Sequence, residues 1–434
     1  MKKKKLLYDT HEKPPALQWL ILSLQHVFAM FGATILSPIL INQAAGAEVI
    51  PISTALLACG IGTLIYIFCT KGKSPVFLGS SFAYITPVVI AYTKGGISGF
   101  TTGIISVGLI YVLFAFLIKK FGKDWIDKLL PPIVVGPMIM IIGLSLAPNA
   151  ISQIGLNGDE LIWENILVAI VAFATTVAIA VYAKGFLKVI PFLMGIIVGY
   201  LFAVCFHIVD FSAVKNADII SLPRVLIPIK DYSFSFVGLI TIAPLALVSI
   251  AEHIGDHMAL SNIIGKNLIK NPGLDKTLMG DGLATTAAGL IGGPANTTYG
   301  ENTSVVGMSK VASVWVIGLA AVISIILSCF GVVSALLSTI PDPVLGGVSM
   351  ILYGFISVNG LKVLIENNID YNDIKNVIIT STMLILGLGG AVISITSGDL
   401  SISITGMTLA VIVGILLNLI LNPDNTKIRG ENNV

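Results

Sequence analysis

Of the chain's 434 residues, 55% are hydrophobic and only 11% are charged, and the mean hydropathy is +0.95. A soluble domain carries about 25% charged residues, so this is the composition of a polytopic membrane protein. The formal net charge of +2 comes from Lys and Arg scattered at span ends, which excludes a basic nucleic-acid-binding patch.

A helix needs about 20 apolar residues to cross the hydrocarbon core. Fourteen candidate spans follow in order: 17–41, 52–69, 75–93, 97–118, 130–147, 163–182, 186–209, 234–258, 277–292, 295–309, 311–330, 343–358, 377–395 and 402–421. The first follows Lys2 to Lys5 as a signal peptide would. Its apolar run exceeds the roughly 7–15 residues of such a segment, so it is expected to be retained. Cys59, Cys69, Cys205 and Cys329 all fall inside apolar runs without metal spacing. They read as small packing residues with no disulfide framework.

The third, ninth and tenth spans are short or interrupted. Pro75, Gly79 and Pro87 break the third. In the tenth, Asn296-Thr297-Thr298-Tyr299-Gly300-Glu301-Asn302 follows Gly292-Gly293-Pro294. Non-helical polar backbone survives at bilayer depth only when buried in protein or lining a polar cavity. Broken helices also expose N-termini whose N–H groups and positive dipole ends attract electronegative atoms.

Charge asymmetry supports the span count. With the N-terminus in the cytoplasm, 21 of 25 basic residues fall on the cytoplasmic side, and only Lys94, Lys215, Arg224 and Lys230 fall outside. Both termini are then cytoplasmic. The halves also match. Ser80-Ser81-Phe82 corresponds to Thr297-Thr298-Tyr299, Pro131…Gly136 to Pro341…Gly346, and Gln25-His26 to Glu252-His253, at offsets of 217, 210 and 227. Two repeats of seven spans place the second upside down. Inverted repeats with discontinuous helices are a transporter architecture with the site at the repeat interface.

Apart from Glu164 at the very start of the sixth span, four of the 23 acidic residues lie within spans: Glu252, Asp256, Asp281 and Glu301. A charge at the bilayer centre costs about 2.5–3.5 kcal/mol on insertion scales and marks a functional site by default. Glu252 and Asp256, four apart, stack on one helix face. Their titration is coupled, which suits a proton-coupled substrate site; a satisfied polar network between helices is the other reading. Glu301 accepts hydrogen bonds and suits a ligand presenting N–H groups. Phe82 and Tyr299 either flank a flat ring beside it or are core packing. His253 and His257 have metal-ligand spacing, but the zinc-protease motif H-E-x-x-H is absent and no metal is expected. His26 reads as a helix–helix hydrogen-bond partner, Asp281 as structural or on an entry path, and Asp342 as a helix N-cap. G-x-S-x-G is absent as well; neither an enzyme nor a bound cofactor is expected.

The chain resembles the nucleobase–ascorbate transporter family, and within it the bacterial members that take up uracil. The resemblance rests on Leu24-Gln25-His26-Val27-Phe28-Ala29-Met30-Phe31-Gly32-Ala33, Gly79-Ser80-Ser81-Phe82-Ala83, Ala251-Glu252-His253-Ile254-Gly255 and the 296–302 segment. It implies an all-α polytopic fold of fourteen segments in two inverted repeats, with short antiparallel strands in segments 3 and 10. Segments 1–4 and 8–11 (1–128 and 233–330) would form a core part, and segments 5–7 and 12–14 (129–232 and 331–434) a gate part. It implies proton symport of a nucleobase across the cell membrane and a homodimer formed through the gate. Matched by position, the site comprises Ala33, Phe82, Glu252, Tyr299, Gly300 and Glu301. Glu252 and Glu301 would hold the base, and both, with Asp256, would couple the proton. One position departs from the pattern. Uracil-transporting members carry His where this chain has Asp256, and purine-transporting members often carry Asp there. The latter usually have Gln in place of Glu301, however, and an accepting carboxylate fits an imide N–H. Uracil is therefore expected ahead of xanthine or urate. An anion transporter of similar fold is the reading from another class.

Overall fold

The computed structural model describes residues 6–158, 161–225, 233–397 and 400–422. Lys2 to Lys5, Lys230, Lys427 and Arg429 of the charge argument lie outside them. The first half begins with α1 (Ala16–Ala45) and α2 (Ile52–Cys69), which lead to the strand β1 (Leu78–Ser80). A helical turn at Phe82–Tyr84 enters α3 (Ile85–Phe121), and then come α4 (Asp124–Leu129), α5 (Pro132–Ser145), α6 (Ala147–Ile154), α7 (Trp163–Tyr182), α8 (Pro191–Cys205) and α9 (Ser212–Lys215). The second half opens with α10 (Phe236–Ile242), α11 (Ala246–Ile264) and α12 (Leu274–Leu290). β2 (Asn296–Thr298), α13 (Gly300–Ser309), α14 (Val314–Ser328), α15 (Gly331–Ser338), α16 (Asp342–Glu366) and α17 (Ile374–Leu388) follow. A hairpin, β3 (Val392–Ser397) and β4 (Leu400–Thr405), precedes α18 (Gly406–Leu421).

Local chemistry explains the boundaries. Prolines open α5 and α8 at their first position, where the missing N–H costs nothing. Helix spans 40 residues from Phe82 to Phe121, about 60 Å at 1.5 Å per residue, against a hydrocarbon core of about 30 Å. It divides at Gly96, whose φ of 58° and ψ of −154° leave the helical region. Glycine adopts that positive φ without a Cβ clash. The break lies between the sequence-predicted spans 75–93 and 97–118.

Seven helical stretches among the described residues are long and apolar enough to cross a membrane, or eight if α14 and α15, bent by 81°, form one. α8, α17 and α18 are shorter apolar helices. This is a multi-pass membrane protein. α3 packs against α10 and α12, and α2 lies against both α12 and α14. α16 packs on α5, α7 and α6.

Three expectations need correction. The run 377–395 is not one helix, because α17 ends at Leu388 and β3 begins at Val392. Val392-Ile393-Ser394-Ile395-Thr396 alternates with period two, and its apolar content concealed a strand. The fold is accordingly not purely helical outside segments 3 and 10, since β3 pairs with β4 from Val392↔Thr405 to Ser397↔Leu400. Asp342 does not cap a helix. It is the first residue of α16, behind Pro341, and its Oδ1 accepts from Gln43 Nε2 at 2.6 Å.

Candidate functional site

The centre of the molecule is the ladder between β1 and β2. They pair antiparallel, with Leu78 opposite Thr298, Gly79 opposite Thr297 and Ser80 opposite Asn296. The ladder is extended on both sides, as Ser81 N donates to Ala295 O at 3.0 Å and Tyr299 N to Phe77 O at 3.1 Å. Every strand residue is buried. This answers how polar backbone persists here: two short segments from opposite halves satisfy one another's N–H and C=O groups.

Sequence dictates the close fit. A Cβ on Gly79 would stand 2.2 Å from the Tyr299 ring, so only glycine admits it. Tyr299 is 3% exposed. Its hydroxyl donates to Ser80 O at 3.1 Å and accepts from Thr34 Oγ1 at 3.2 Å, while Ser80 Oγ returns a bond to Thr34 O at 3.3 Å. Ala33, next to Thr34 on α1, is buried as well. Tyr299 thus ties α1, β1 and β2 together, and its phenol is engaged within the protein.

Because the strands run antiparallel, their helices leave the ladder at opposite ends. Phe82 opens the turn into α3, half-buried against the apolar core. Gly300 and Glu301 are the first two residues of α13. The first N–H groups of a helix have no carbonyl one turn back, so Glu301 sits where amide donors and its own carboxylate are both at hand. Gly300 is exposed, and a Cβ there would meet nothing within 4 Å.

α11 lies beside β2. Thr298 Oγ1 donates to Asp256 Oδ2 at 2.7 Å, and Thr297 Oγ1 lies 3.5 Å from Glu252 Oε2. Glu252, Asp256 and Glu301 are half-buried. The two carboxylates four residues apart therefore share the face of α11 that meets the strand, while His253 and His257 take another.

That second face holds a network that sequence reading missed. His253 Nδ1 and Asp281 Oδ2 of α12 are 2.8 Å apart, both side chains fully buried. The His253 and His257 rings stack with centroids 4.0 Å apart, and His257 Nδ1 bonds His253 O at 2.7 Å. His257 Nε2 meets Tyr66 OH, which donates to Ser74 Oγ at 2.9 Å. No group of three or more potential metal ligands occurs among the described residues. The only signal in the sequence was the cost of an unpaired Asp281 in an apolar span, and its partner lies 28 residues away. His26 behaves as expected: Asn302 Nδ2 donates to His26 O at 3.1 Å and lies 3.0 Å from its Nδ1.

A cavity of about 450 Å³ opens elsewhere, between the end of α1, the start of α2 and α15. Asn42, Gln43 and Asp218 line it, as do Glu48 and Arg224, which form an exposed ion pair at 3.0 Å.

Residues 17–396 match the family model named Xan_ur_permease and described as "Permease family". The uracil permease of Bacillus subtilis (strain 168) is 46% identical over 428 residues, covering 97% of this chain and 96% of that protein. The uracil permease of Escherichia coli (strain K12) is 44% identical over 415 residues, covering 94% and 92%. Among solved structures, the transmembrane domain of the cyanobacterial bicarbonate transporter BicA aligns with a TM-score of 0.57 at 15% identity, over 95% of this chain and 100% of that one. At that identity the likeness concerns the fold alone.

Proposed function

The chain belongs to the nucleobase–ascorbate transporter family of permeases and is not an enzyme; from that premise we propose that it takes up uracil with a proton by alternating access. The observation that carries the reading is the grouping of Glu252, Asp256 and Glu301 around a buried strand pair. Carboxylates accept and do not donate. They therefore select a ligand edge with N–H groups, as uracil has, and disfavour an anion.

In this reading Glu252 and Glu301 receive the N–H groups of the base. Gly300 and Phe82 offer main-chain N–H groups at the two helix starts, and the Phe82 ring offers a face. Tyr299 and Ala33 wall the site by packing, since the Tyr299 phenol is already bonded. Asp256, next to Glu252 on α11, shares the coupling proton with Glu252 and Glu301. The fourteen segments form two inverted repeats in the cell membrane with both termini in the cytoplasm. The core part (1–128 and 233–330) carries the site and moves against the gate part (129–232 and 331–434), through which two copies associate. In support, α12 packs on α2 and α3 and α14 on α2, while α16 packs on α5, α7 and α8 and α7 on α8.

Xanthine or urate uptake is the second reading, favoured by Asp256 alone. One experiment separates them. Uptake of labelled uracil into proteoliposomes is measured against unlabelled uracil, thymine, xanthine, urate and adenine, with and without a protonophore. Uracil should compete best and uptake should collapse with the proton gradient. Uptake that survives the protonophore and needs sodium overturns the proton; stronger competition by xanthine overturns uracil.

A further inference from the structure

Away from the strand pair, a cavity of about 360 Å³ lies where the N-terminal arm meets the turn between α11 and α12. Lys73, Lys266 and Lys270 line it with His11, Asn267 and Asn271. Its size falls within the roughly 300–1,000 Å³ of small-molecule sites, yet its lining is unlike that of the central site. It has no carbocyclic aromatic ring for stacking, and its lining is rich in donors.

The wall is built rather than casual. The arm is fixed by main-chain bonds: Leu7 N donates to Lys310 O at 2.8 Å, Ala312 N to Tyr8 O at 2.9 Å and Val314 N to Thr10 O at 3.0 Å. Lys266 Nζ donates to Thr10 Oγ1 at 3.1 Å and to Asp9 Oδ1 at 2.5 Å. Lys73 Nζ donates to Asn271 Oδ1 at 3.0 Å. An ammonium has three donors, so each lysine keeps capacity. Lys270, exposed at the rim, adds a third. The acidic groups nearby are Asp9, spent on Lys266, Glu12, whose Oε2 accepts from Asp9 N, and Asp275 in the first turn of α12. The cavity lining itself carries three ammonium groups and no carboxylate, which leaves an excess of positive charge among convergent donors. That demands an anion with several acceptor oxygens.

We propose that this cavity binds a phosphate-bearing anion, either a lipid headgroup or a free phosphate compound, bridging the N-terminal arm, the end of α2 and the α11–α12 turn. The site is independent of the transported substrate. It bears on transport because α11 carries Glu252 and Asp256 and α12 carries Asp281, so an anion seated here braces the two helices behind the central site.

The test uses the full chain purified in detergent. Inorganic pyrophosphate is titrated calorimetrically at constant ionic strength set with chloride, and retention of phosphatidylglycerol or phosphatidylcholine is read by native mass spectrometry. Binding should weaken about fivefold for each lysine removed in Lys266→Gln and Lys270→Gln, and stay unchanged in Lys362→Gln, which lies outside the cavity. Pyrophosphate binding that is lost in the cavity variants identifies a free anion. Retention of phosphatidylglycerol alone, also lost in them, identifies a headgroup. Should Lys266→Gln fail to fold, the exposed Lys270→Gln decides by itself. Binding equal in wild type, Lys270→Gln and Lys362→Gln, or no binding of either probe, overturns the proposal.

Discussion

β1 and β2 share one ladder and deliver different chemistry. After β1 the chain continues Ser81-Phe82-Ala83 and meets no charged residue before Lys94. After β2 it reaches Glu301 within three residues, and α11 sets Glu252 and Asp256 against Thr297 and Thr298. The helices that pack on the ladder differ in the same sense. α1 carries Gln25-His26, and the His26 ring nitrogen Nδ1 lies 3.0 Å from Nδ2 of the neutral Asn302. α11 carries Glu252-His253, and His253 is bonded by a buried carboxylate. A ladder shared by one strand from each half is therefore flanked by carboxylates on the β2 side alone. Backbone pairing needs only extended residues of either half, whereas reading the N–H edge of a ligand needs acceptors, and one half supplies them.

The largest expected effects test that division directly. Glu252→Ala and Glu301→Ala should each weaken uracil binding by about 10–150-fold, the worth of one hydrogen bond to a charged group. Phe82→Ala on the other side should cost about tenfold or less. Equilibrium binding in detergent measures all three, and equal losses would mean that both halves read the ligand. Next comes Asp281→Ala. It leaves the His253 Nδ1 without its partner at a fully buried position, and an unsatisfied buried polar group costs about 1–3 kcal/mol of stability. His26→Ala should cost only about 1 kcal/mol, the net worth of an ordinary hydrogen bond. Thermal unfolding of the two variants ranks them, and a reversed order would move the structural weight to the β1 side.

The glycines of the two strands give a smaller and cleaner contrast. Gly79→Ala drives a Cβ into the Tyr299 ring, and overpacking of this kind costs about 1–3 kcal/mol. Gly300→Ala meets open space and should leave unfolding nearly unchanged. If it nevertheless weakens uracil binding, the clash is with the ligand, as expected of a residue that presents backbone to the base.

Much of this was legible in the residues. α2 and α7 span the predicted 52–69 and 163–182, because long apolar runs bounded by polar residues leave few alternatives. The broken spans announced themselves through Gly and Pro at positions where a helix would not choose them. What escaped was either short or distant. α6 and α15 were absorbed into loops or neighbouring runs, and the β3–β4 hairpin was hidden by its apolar alternation. The His253–Asp281 pair joins two helices, and no spacing rule connects residues 28 apart. The engagement of the Tyr299 phenol by Ser80 and Thr34 was equally invisible, since it depends on how α1 and β1 approach β2.

The finest contrast lies within β2 itself. Thr298 and Thr297 are neighbours, yet one donates to Asp256 at 2.7 Å and the other stands 3.5 Å from Glu252. Hydrogen bonds weaken steeply with distance, so Thr298→Val should remove about 1.5–3 kcal/mol if Asp256 is charged and about 1 kcal/mol if it is protonated. Thr297→Val should be close to neutral. Valine keeps the branched shape that suits a strand, so the hydroxyl is the main thing removed. The pair also reports on coupling. If Asp256 exchanges the proton during transport, losing its only described hydroxyl donor should change the pH dependence of uracil uptake in Thr298→Val and leave that of Thr297→Val like wild type. Identical profiles in both variants would detach Asp256 from the proton and return it to a structural bond between α11 and the strand.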